Sequence, residues 1–509
     1  MGEETVLRPT HTRYWVIVFA VSLAIITYID RVCISQTAPS ISRDLGLSEV
    51  QMGYVFGAFA LSYALFEIPG GILGDWIGPR KVLMRIVIWW SFFTAATGWA
   101  ANYVALWFTR LFFGAGEAGC FPNVTKAFTI WLPKHERVRA QGVMWMSARW
   151  GGAFTPLLVV YVLKYMNWRH AFELFGAIGI LWAVFFFLWF RDNPRDKKSV
   201  NAAELELVKD AERMAYRQFP WREFWKGVCR WGPALGPVAV ALFFRFPLQR
   251  VLPFWVFPVS VAWAVLILLL LRRRAGGIGS KLAEPAEDHG DIPWRKFLTS
   301  RSVWLLWIQY FCLSYGWYFY ITWLPTYLQR ARGVSISRGA LLAVLPLFLG
   351  GLGSVFCGFI SGPVADWTGS VVKTRRLLAC LGFTGATGFL ILSTFLSDPL
   401  WAMLSIGMAS FSNDLEMPGS WGACMDVGGK YAGTLSGAMN MMGNFGGVVP
   451  PIAIGYIVES THGNWAITFY VSAAVYFMGT FCWMFLDPVT PLDQPEPTRL
   501  DGSKRVPVF

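Results

Sequence analysis

The sequence predicts an all-α polytopic membrane protein. Of the 509 residues, 55% are hydrophobic and only 15% are charged, whereas soluble proteins carry about 25% charged residues. The mean hydropathy is +0.45, and the apolar residues form long runs, each close to the roughly 20 residues that a membrane helix needs. The 27 Trp and 41 Phe suit lipid-facing and interfacial positions.

Composition also argues against several other classes of protein. The net charge of +13 does not predict a nucleic-acid partner, because the basic residues lie in short loops between apolar runs. The eight cysteines are dispersed without a Cys-x-x-Cys pair, which favours buried apolar packing over disulfides or a metal site. No metal-ligand cluster or nucleophile–base spacing appears, so an enzyme is not expected. The N-terminus has no signal-peptide pattern, so the first apolar run is expected to remain as a span.

The apolar runs fall into two groups of six. The first six lie at 14–35, 50–74, 83–101, 104–131, 140–163 and 170–190. The second six lie at 303–327, 340–365, 376–397, 400–424, 431–457 and 466–486. The pattern predicts two six-helix bundles at 1–190 and 303–487, a cytosolic linker with a short amphipathic helix inside 191–302, and a cytosolic tail at 488–509.

The linker contains a further apolar stretch at 231–274. Its part from Val251 to Leu271 is long enough to span a membrane, whereas the part from Gly232 to Phe246 is short and interrupted by proline. One added span would move the basic residues at 373–376 to the outside, so an even number of crossings fits the charge bias better. We expect a hydrophobic hairpin, with two extra helices.

Basic residues in the short loops orient the chain. One side collects Arg8, Arg13, Arg80, Lys81, Lys134, Arg137 and Arg139, while the opposite loops carry few basic residues. Positively charged loops stay in the cytoplasm, so both termini are predicted to be cytoplasmic. The loop with Arg330, Arg332 and Arg338 disagrees with this bias.

The two halves resemble each other. The stretch "GDWIGPRK" at 74–81 follows the second run, and "SGPVADWTGSVVKTRR" at 361–376 follows the eighth. Asp75 and Asp366 occupy matching places, each followed by Trp, then Gly, then basic residues. Repeated halves are typical of transporters that bind substrate between them, near the middle of the membrane.

These motifs carry a resemblance to a known family. The pattern G-D-x-x-G-x-R-K between the second and third spans resembles the loop signature of the major facilitator superfamily. The stretches "YIDRVCISQTAPSISRDLGLS", "RLFFGAGEAGCFPNVTKAFTIWLPKHER" and "GAMNMMGNFGGVVPPIAIG" resemble its anion:cation symporter branch, which includes bacterial sugar-acid transporters. The likeness covers nearly the whole chain except 231–274. It implies a major facilitator fold in a bacterial inner membrane, working as a monomer among membrane lipids.

Asp30 and Arg31 stand side by side in the first span, where a charge costs about 2.5–3.5 kcal/mol. A salt bridge that stabilises one conformation would explain them. So would a cavity-lining pair, in which Arg31 offers a forked cation to a carboxylate and Asp30 exchanges a proton. The resemblance implies the second role, with Asp30 in proton coupling and Arg31 in substrate binding.

Arg110 and Glu117 repeat this combination in the fourth span. Seven residues apart on a helix, they share one face at a separation of about 10 Å. The resemblance implies that Arg110 contacts substrate or its ion-pair network and that Glu117 is a protonation site. Two acids and two arginines roughly neutralise one another, so an incoming organic anion would unbalance the site unless a proton entered with it.

Hydroxyl and amide groups supply further candidate contacts. Tyr63 matches a family tyrosine that bonds substrate, although an ordinary packing role fits it equally well. The hydroxyls of Tyr315 and Tyr318 suit the hydroxyl groups of a sugar acid. Asn440 and Asn444 lie at i, i+4 and so on one helix face, where amides either join helices or bind substrate.

Two features depart from the family pattern. Arg149 lies at or next to a position where relatives carry a polar residue such as Gln, and it could bind a second substrate carboxylate or pair with Glu67. Asp414 and Glu416, inside the tenth span, could balance Arg149, bind a cation or add a proton site. Together with Glu67 they are grouped as a possible extra charge site. These acids leave the substrate and the coupling stoichiometry open.

Asp75, Arg80 and Lys81 are assigned to gating. In the superfamily this resembles, the acid and base of the loop join a cytoplasmic charge network that closes the outward-facing state. Topology-setting charge alone would also explain Arg80 and Lys81, but not Asp75 and the two glycines.

The sequence thus predicts a secondary active transporter that imports a small organic anion, a sugar acid such as a hexonate, hexarate or hexuronate. No cofactor is expected; the coupling ion is H⁺, with Na⁺ as an alternative. An organophosphate:phosphate antiporter is weaker, because it is expected to place an arginine in the seventh span and 303–328 has none. Multidrug efflux fits a cationic site poorly. A non-transporting sensor on a transporter fold is the alternative from another class.

Overall fold

The computed structural model describes residues 8–208 and 292–492, and every regular element in these ranges is a helix. The first range contains seven long or medium helices and one short helix. These are α1 (Tyr14–Leu45), α2 (Glu49–Ile77), α3 (Pro79–Gly98), α4 (Tyr103–Glu117), α5 (Cys120–Trp131), α6 (Lys134–Leu163), α7 (Trp168–Trp189) and α8 (Ala202–Leu207).

The second range repeats the pattern. Its helices are α9 (Trp294–Thr299), α10 (Arg301–Thr322), α11 (Leu324–Arg330), α12 (Ile336–Leu342), α13 (Val344–Thr368), α14 (Val371–Phe395), α15 (Pro399–Asp414), α16 (Met417–Gly428), α17 (Ala432–Ser460) and α18 (Trp465–Phe485). The apolar insert at 231–274, most of the linker and nearly all of the tail lie outside the described residues.

Seven helices in the described ranges are long and apolar enough to cross a membrane. They are α1, α2, α6, α7, α13, α14 and α18. The fourth and tenth apolar runs miss this criterion because each is divided: α4 and α5 have 15 and 12 residues, and α15 and α16 have 16 and 12. The sequence placed a single helix in each of these two runs, and the structure corrects both.

Gly119 causes the break between α4 and α5. Its φ is +81°, a left-handed conformation that costs other residues about 1–2 kcal/mol. Its backbone also lies against that of Gly70 in α2: a Cβ atom on Gly119 would lie 2.5 Å from Cα of Gly70. The break therefore needs glycine for two reasons, and it leaves Glu117 at the end of a helix in the bundle interior.

We expect Gly119→Ala to destabilise the protein by about 3 kcal/mol or more, since it combines an unfavourable φ with overpacking. Gly388 in α14 is the matched control, because a Cβ atom there meets nothing within 4 Å. Thermal unfolding in detergent should show a clear fall in Tm for the first variant and none for Gly388→Ala. Equal Tm values would contradict the packing argument.

The two halves meet along α2 with α17 and α6 with α13. At one crossing the backbones touch, since a Cβ atom on Gly433 would lie 2.7 Å from the Gly71 carbonyl oxygen. At the other, the rings of Trp150 and Phe348 stack with centroids 5.3 Å apart. We call the end of the bundle where α2 ends and α3 begins the Asp75 end.

The start of the chain is fixed at this same end. Arg13 Nε donates to Glu136 at 2.9 Å, at the start of α6, and Arg13 Nη1 donates to Glu204 in α8 at 3.1 Å. The first part of the linker therefore packs against α1 and α6.

Candidate substrate site

A cavity of about 440 Å³, counting its open part, lies between the two halves. The first half contributes Tyr28, Arg31, Tyr63, Phe121, Trp145 and Arg149 to its wall. The second half contributes Tyr310, Leu313, Ser314, Trp317, Tyr318, Met417, Asn440, Gly443 and Asn444. Six of the eight predicted substrate contacts therefore lie on one wall, and these are Arg31, Tyr63, Arg149, Tyr318, Asn440 and Asn444.

Arg31 reaches the cavity from α1 with a carboxylate behind it. Its Nε donates to Oε1 of Glu117, the buried last residue of α4. The guanidinium lies 4.4 Å from the ring centroid of Tyr63. Its Nη2 atom is buried and has no hydrogen-bond partner in the described part of the chain. An unsatisfied donor of a cation costs free energy, so this atom is suited to a ligand's anionic group.

Arg149 has the same arrangement on α6. Its Nε and Nη2 atoms donate to the two oxygens of Asp414 at 2.7 and 2.9 Å, in a bidentate ion pair. The guanidinium also lies over the Trp317 ring, 4.3 Å from its centroid. Asp414 belongs to the other half, so this pair joins the halves. The alternative in which Arg149 pairs with Glu67 is wrong.

A chain of amides and phenols continues the wall. Asn440 donates to Glu67 at 2.7 Å and to the Tyr63 hydroxyl at 3.2 Å. The Tyr318 hydroxyl donates to Asn444 at 3.2 Å. Glu67 also accepts the Gly119 backbone N–H at 3.3 Å, which ties this chain to the helix break. These groups can offer neutral hydrogen bonds beside the two arginines.

Asp30 does not line the cavity, although it neighbours Arg31. Successive helical residues point about 100° apart, and Asp30 turns into the first half, where its Oδ2 accepts from Trp90 at 3.1 Å. Its Oδ1 is buried without a hydrogen-bond partner among the described residues. The expected cavity-lining pair is therefore corrected, because only Arg31 reaches the wall.

Arg110 also lies off the wall. It is 1% exposed, and its guanidinium lies 4.2 and 5.4 Å from the ring centroids of Phe113 and Phe59. Its Nε and Nη1 have no hydrogen-bond partner among the described residues. The face that it shares with Glu117 turns into the first half, which corrects its expected contact with the substrate.

Tyr315 is likewise buried and does not line the cavity, whereas Ser314, Trp317 and Tyr318 of the same helix do. Several wall residues were missed in the site prediction, namely Tyr28, Phe121, Trp145, Tyr310, Leu313, Ser314, Trp317, Met417 and Gly443. Helical spacing could have found several of them; for example, Tyr28 lies three residues before Arg31 and Trp145 four before Arg149. Met417 carries no such signal.

The three acids grouped as an extra charge site lie in three places. Asp414 pairs with Arg149, and Glu67 bonds Asn440. Glu416 is buried in the second half, where it accepts hydrogen bonds from Ser420 and Trp483. They share no common ligand position, so the expectation of one site is corrected.

The chain matches the family model of the Major Facilitator Superfamily over residues 20–231 and 224–451. This protein belongs to the Major Facilitator Superfamily. It is therefore a membrane transporter and not an enzyme. The resemblance seen in the motifs, to the branch that carries sugar acids and related anions, is confirmed by the relatives it matches.

Two curated relatives of this chain are named as transporters of organic anions. A probable sulfoacetate transporter of Cupriavidus necator is 31% identical over 95% of this chain and 96% of its own length. A probable galactarate/D-glucarate transporter of Escherichia coli is 28% identical over 90% of this chain and 89% of its own. A solved proton:xylose symporter shares the fold, with a TM-score of 0.64 and 13% identity over 94% of this chain and 97% of its own.

The superfamily's loop acid, Asp75, joins the halves at its end of the bundle. It accepts the Gly433 and Thr434 N–H groups at 3.1 and 2.6 Å, at the start of α17. Lys126 lies 3.0 Å from it and also donates to the Lys430 carbonyl oxygen at 2.5 Å. Carboxylates are favourable at helix N-termini, so Asp75 both caps α17 and neutralises a buried lysine.

Arg80 and Lys81 take no part in the contacts that Asp75 makes with the second half. Arg80 donates to the Phe187 carbonyl oxygen at 2.7 Å, and its backbone N–H bonds Asp192 at 2.8 Å, all within the first half. Burial raises the pKa of Asp192 to about 6, although the Arg80 N–H lowers it. Lys81 is exposed. Of the three residues assigned to gating, Asp75 alone contacts the other half here.

We expect Asp75→Asn to loosen the Asp75 end, because breaking a buried ion pair costs about 3–5 kcal/mol. Hydrogen exchange of the Gly433 and Thr434 amides, followed by mass spectrometry, should accelerate about 100-fold or more, at about 1.4 kcal/mol per tenfold. The matched control is Asp366→Asn, since Asp366 holds the equivalent place in the second half but is exposed. If the two amides exchange at the wild-type rate in Asp75→Asn, Asp75 does not hold the two halves together at this end.

Proposed function

We propose that this protein imports a small organic anion with two acidic groups, together with a proton, by alternating access. One observation carries the proposal: two arginines from different helices, Arg31 and Arg149, face one cavity between the halves, and each is backed by a buried carboxylate. Arginine offers a planar fork that matches a carboxylate or sulfonate with two parallel hydrogen bonds.

The two relatives named above support an anion with two acids. Galactarate and glucarate each carry a carboxylate at both ends, and sulfoacetate carries a sulfonate and a carboxylate. A fixed cation for each acidic group accounts for both kinds of cargo. The amides of Asn440 and Asn444 and the hydroxyls of Tyr63 and Tyr318 would then bond to the hydroxyl groups of a sugar acid.

The proton enters through the carboxylate behind Arg31. An anion that binds to Arg31 competes with Glu117, and a buried carboxylate left without its partner is unfavourable unless it takes up a proton. Glu117 therefore accepts a proton as the anion binds, and Asp30, buried one residue from Arg31, provides the second protonation site. This competition links the binding of the anion to the binding of a proton and needs no metal or cofactor. Na⁺ is the alternative coupling ion.

The architecture in this proposal has twelve spans, six in each half, with α4–α5 and α15–α16 as broken spans and the 231–274 insert as a membrane hairpin. The protein would lie in the bacterial inner membrane as a monomer with both termini in the cytoplasm. The contacts of Asp75, Lys126 and Arg137 with the second half would then close the cytoplasmic end, which corresponds to an outward-facing state.

Uptake into proteoliposomes tests the proposal. We expect D-glucarate, galactarate or sulfoacetate to accumulate when the outside is acidic, and not when the same vesicles carry only a sodium gradient. Accumulation driven by sodium alone would overturn proton coupling. Vesicles that take up none of these anions, but exchange sugar phosphates for phosphate, would overturn the substrate class as well.

A further inference from the structure

We propose that Asp414 occupies the place of the substrate's second acidic group in the empty site, and that the Arg149–Asp414 pair restricts transport to two-acid anions. This inference rests on the proposed function and adds a selectivity rule to it.

The geometry of the pair is that of an arginine bound to a ligand carboxylate. Both oxygens of Asp414 accept from Arg149, at 2.7 and 2.9 Å, and the two side chains are only 0% and 2% exposed. Arg149 lies on the cavity wall, whereas Asp414 does not. The arginine is therefore the member of the pair that a ligand can reach.

The pair also joins the two moving parts. Arg149 lies on α6 in the first half, and Asp414 is the last residue of α15 in the second. Closer to the Asp75 end, the two halves also contact each other through the ion pair of Arg137 and Asp426, at 3.2 Å. A motion that separates the halves at this end pulls α6 away from α15 and α16, so it has to break the Arg149–Asp414 pair.

Asp414 keeps a partner when Arg149 leaves it. The Asn413 side-chain amide donates to Asp414 Oδ1 at 2.9 Å, so one hydrogen bond remains within the second half. Arg149, in contrast, would lose its other contacts as well, because the Trp317 ring, 4.3 Å away, and the Met417 sulfur, 3.6 Å away, both belong to the second half. The free-energy cost of separation therefore lies mainly on the arginine, and an acidic group of the substrate can offset it.

This difference selects between substrates. An anion with two acidic groups places one on Arg31 and the other on Arg149, and so replaces Asp414 as the halves part. An anion with one acidic group binds at Arg31 and leaves the Arg149–Asp414 pair to be broken without replacement. Breaking such a buried pair costs about 3–5 kcal/mol, which corresponds to a preference of about 100-fold or more, at about 1.4 kcal/mol per tenfold.

D-glucarate and D-gluconate test the rule, because they share one carbon chain and differ in a single terminal carboxylate. We expect the wild-type protein to take up D-glucarate at least about 100-fold faster than D-gluconate under a proton gradient. In the charge-neutral double variant Arg149→Gln/Asp414→Asn, the preference should fall to less than about 5-fold, with D-gluconate uptake rising. Double neutralisation leaves no unpaired buried charge, so folding should be preserved.

Arg137→Gln is the matched control, since it removes another ion pair between the halves that is not on the cavity wall, while Asp426 stays paired with Arg375 at 2.6 Å. It should keep the wild-type preference. If the double variant at 149 and 414 does not fold, thermal stabilisation of the wild type by the two sugar acids gives an independent measurement. D-glucarate should raise its Tm far more than D-gluconate.

Three results would overturn the inference. The first is a wild-type protein that handles both sugar acids equally, and the second is a 149/414 variant that keeps its preference for D-glucarate. In both cases the proposed transport function would stand. A wild-type protein that transports neither sugar acid nor sulfoacetate would instead overturn the proposed function, and this inference with it.

Discussion

Arg31→Lys is expected to lower proton-driven uptake of a two-acid anion by about 100-fold or more. Lysine keeps the positive charge but lacks the planar fork that bonds Glu117 in the empty site and would bond the substrate's acidic group once Glu117 is protonated. The loss of two charge-assisted hydrogen bonds, at about 1.5–3 kcal/mol each, accounts for the size of the effect. Initial uptake rates in proteoliposomes, at matched amounts of inserted protein, are the measurement.

The matched control for this variant is Arg43→Lys, an exposed arginine near the end of the same helix. It should transport at the wild-type rate. The Tm of the Arg31→Lys protein should stay near that of the wild type, while D-glucarate should no longer raise it. Wild-type uptake by Arg31→Lys would remove Arg31 from the substrate site.

Glu117→Gln is expected to abolish accumulation against a gradient while exchange of internal for external anion persists. Glutamine occupies the same space but cannot take up a proton, so anion binding should lose its dependence on pH. In the wild type, binding should strengthen as the pH falls, because protonation of Glu117 releases Arg31 to the anion. Uptake with and without a proton gradient, and counterflow without one, separate the two activities.

Glu416→Gln provides the control for Glu117, because Glu416 is also a buried acid beside a helix break but lies away from the cavity wall. This variant should still accumulate anion under a proton gradient. A Glu117→Gln protein that accumulates anion as the wild type does would show that the coupling proton binds elsewhere, and Asp30 would then be the first residue to test.

The sequence predicted the helical membrane fold because its evidence is local. An apolar run of about 20 residues must form a helix in lipid to satisfy its own backbone, so the spans could be counted without tertiary structure. The breaks at Gly119 and at Leu415 were not predictable in the same way. Glycine is common in membrane helices, and neither the left-handed φ of Gly119 nor its contact with Gly70 can be read from the sequence.

The sequence also indicated which residues to examine at the site. Charged residues inside apolar runs are costly and so are rarely incidental, and both Arg31 and Arg149 proved to lie on the cavity wall. Their neighbours in sequence were poorer guides. Asp30 adjoins Arg31 but faces Trp90, and Arg110 shares a face with Glu117 yet lies behind the wall.

What the sequence determined by itself is the all-helical membrane fold and the cost of each charge within it, since hydropathy and charge are properties of short segments. What only the tertiary structure decided is which charges pair. Asp75 and Asp366 stand in matching motifs, but one is buried against α17 and the other is exposed. Arg149 pairs with Asp414, 265 residues away, because ion pairing depends on distances of a few ångströms that are set by how the two halves pack.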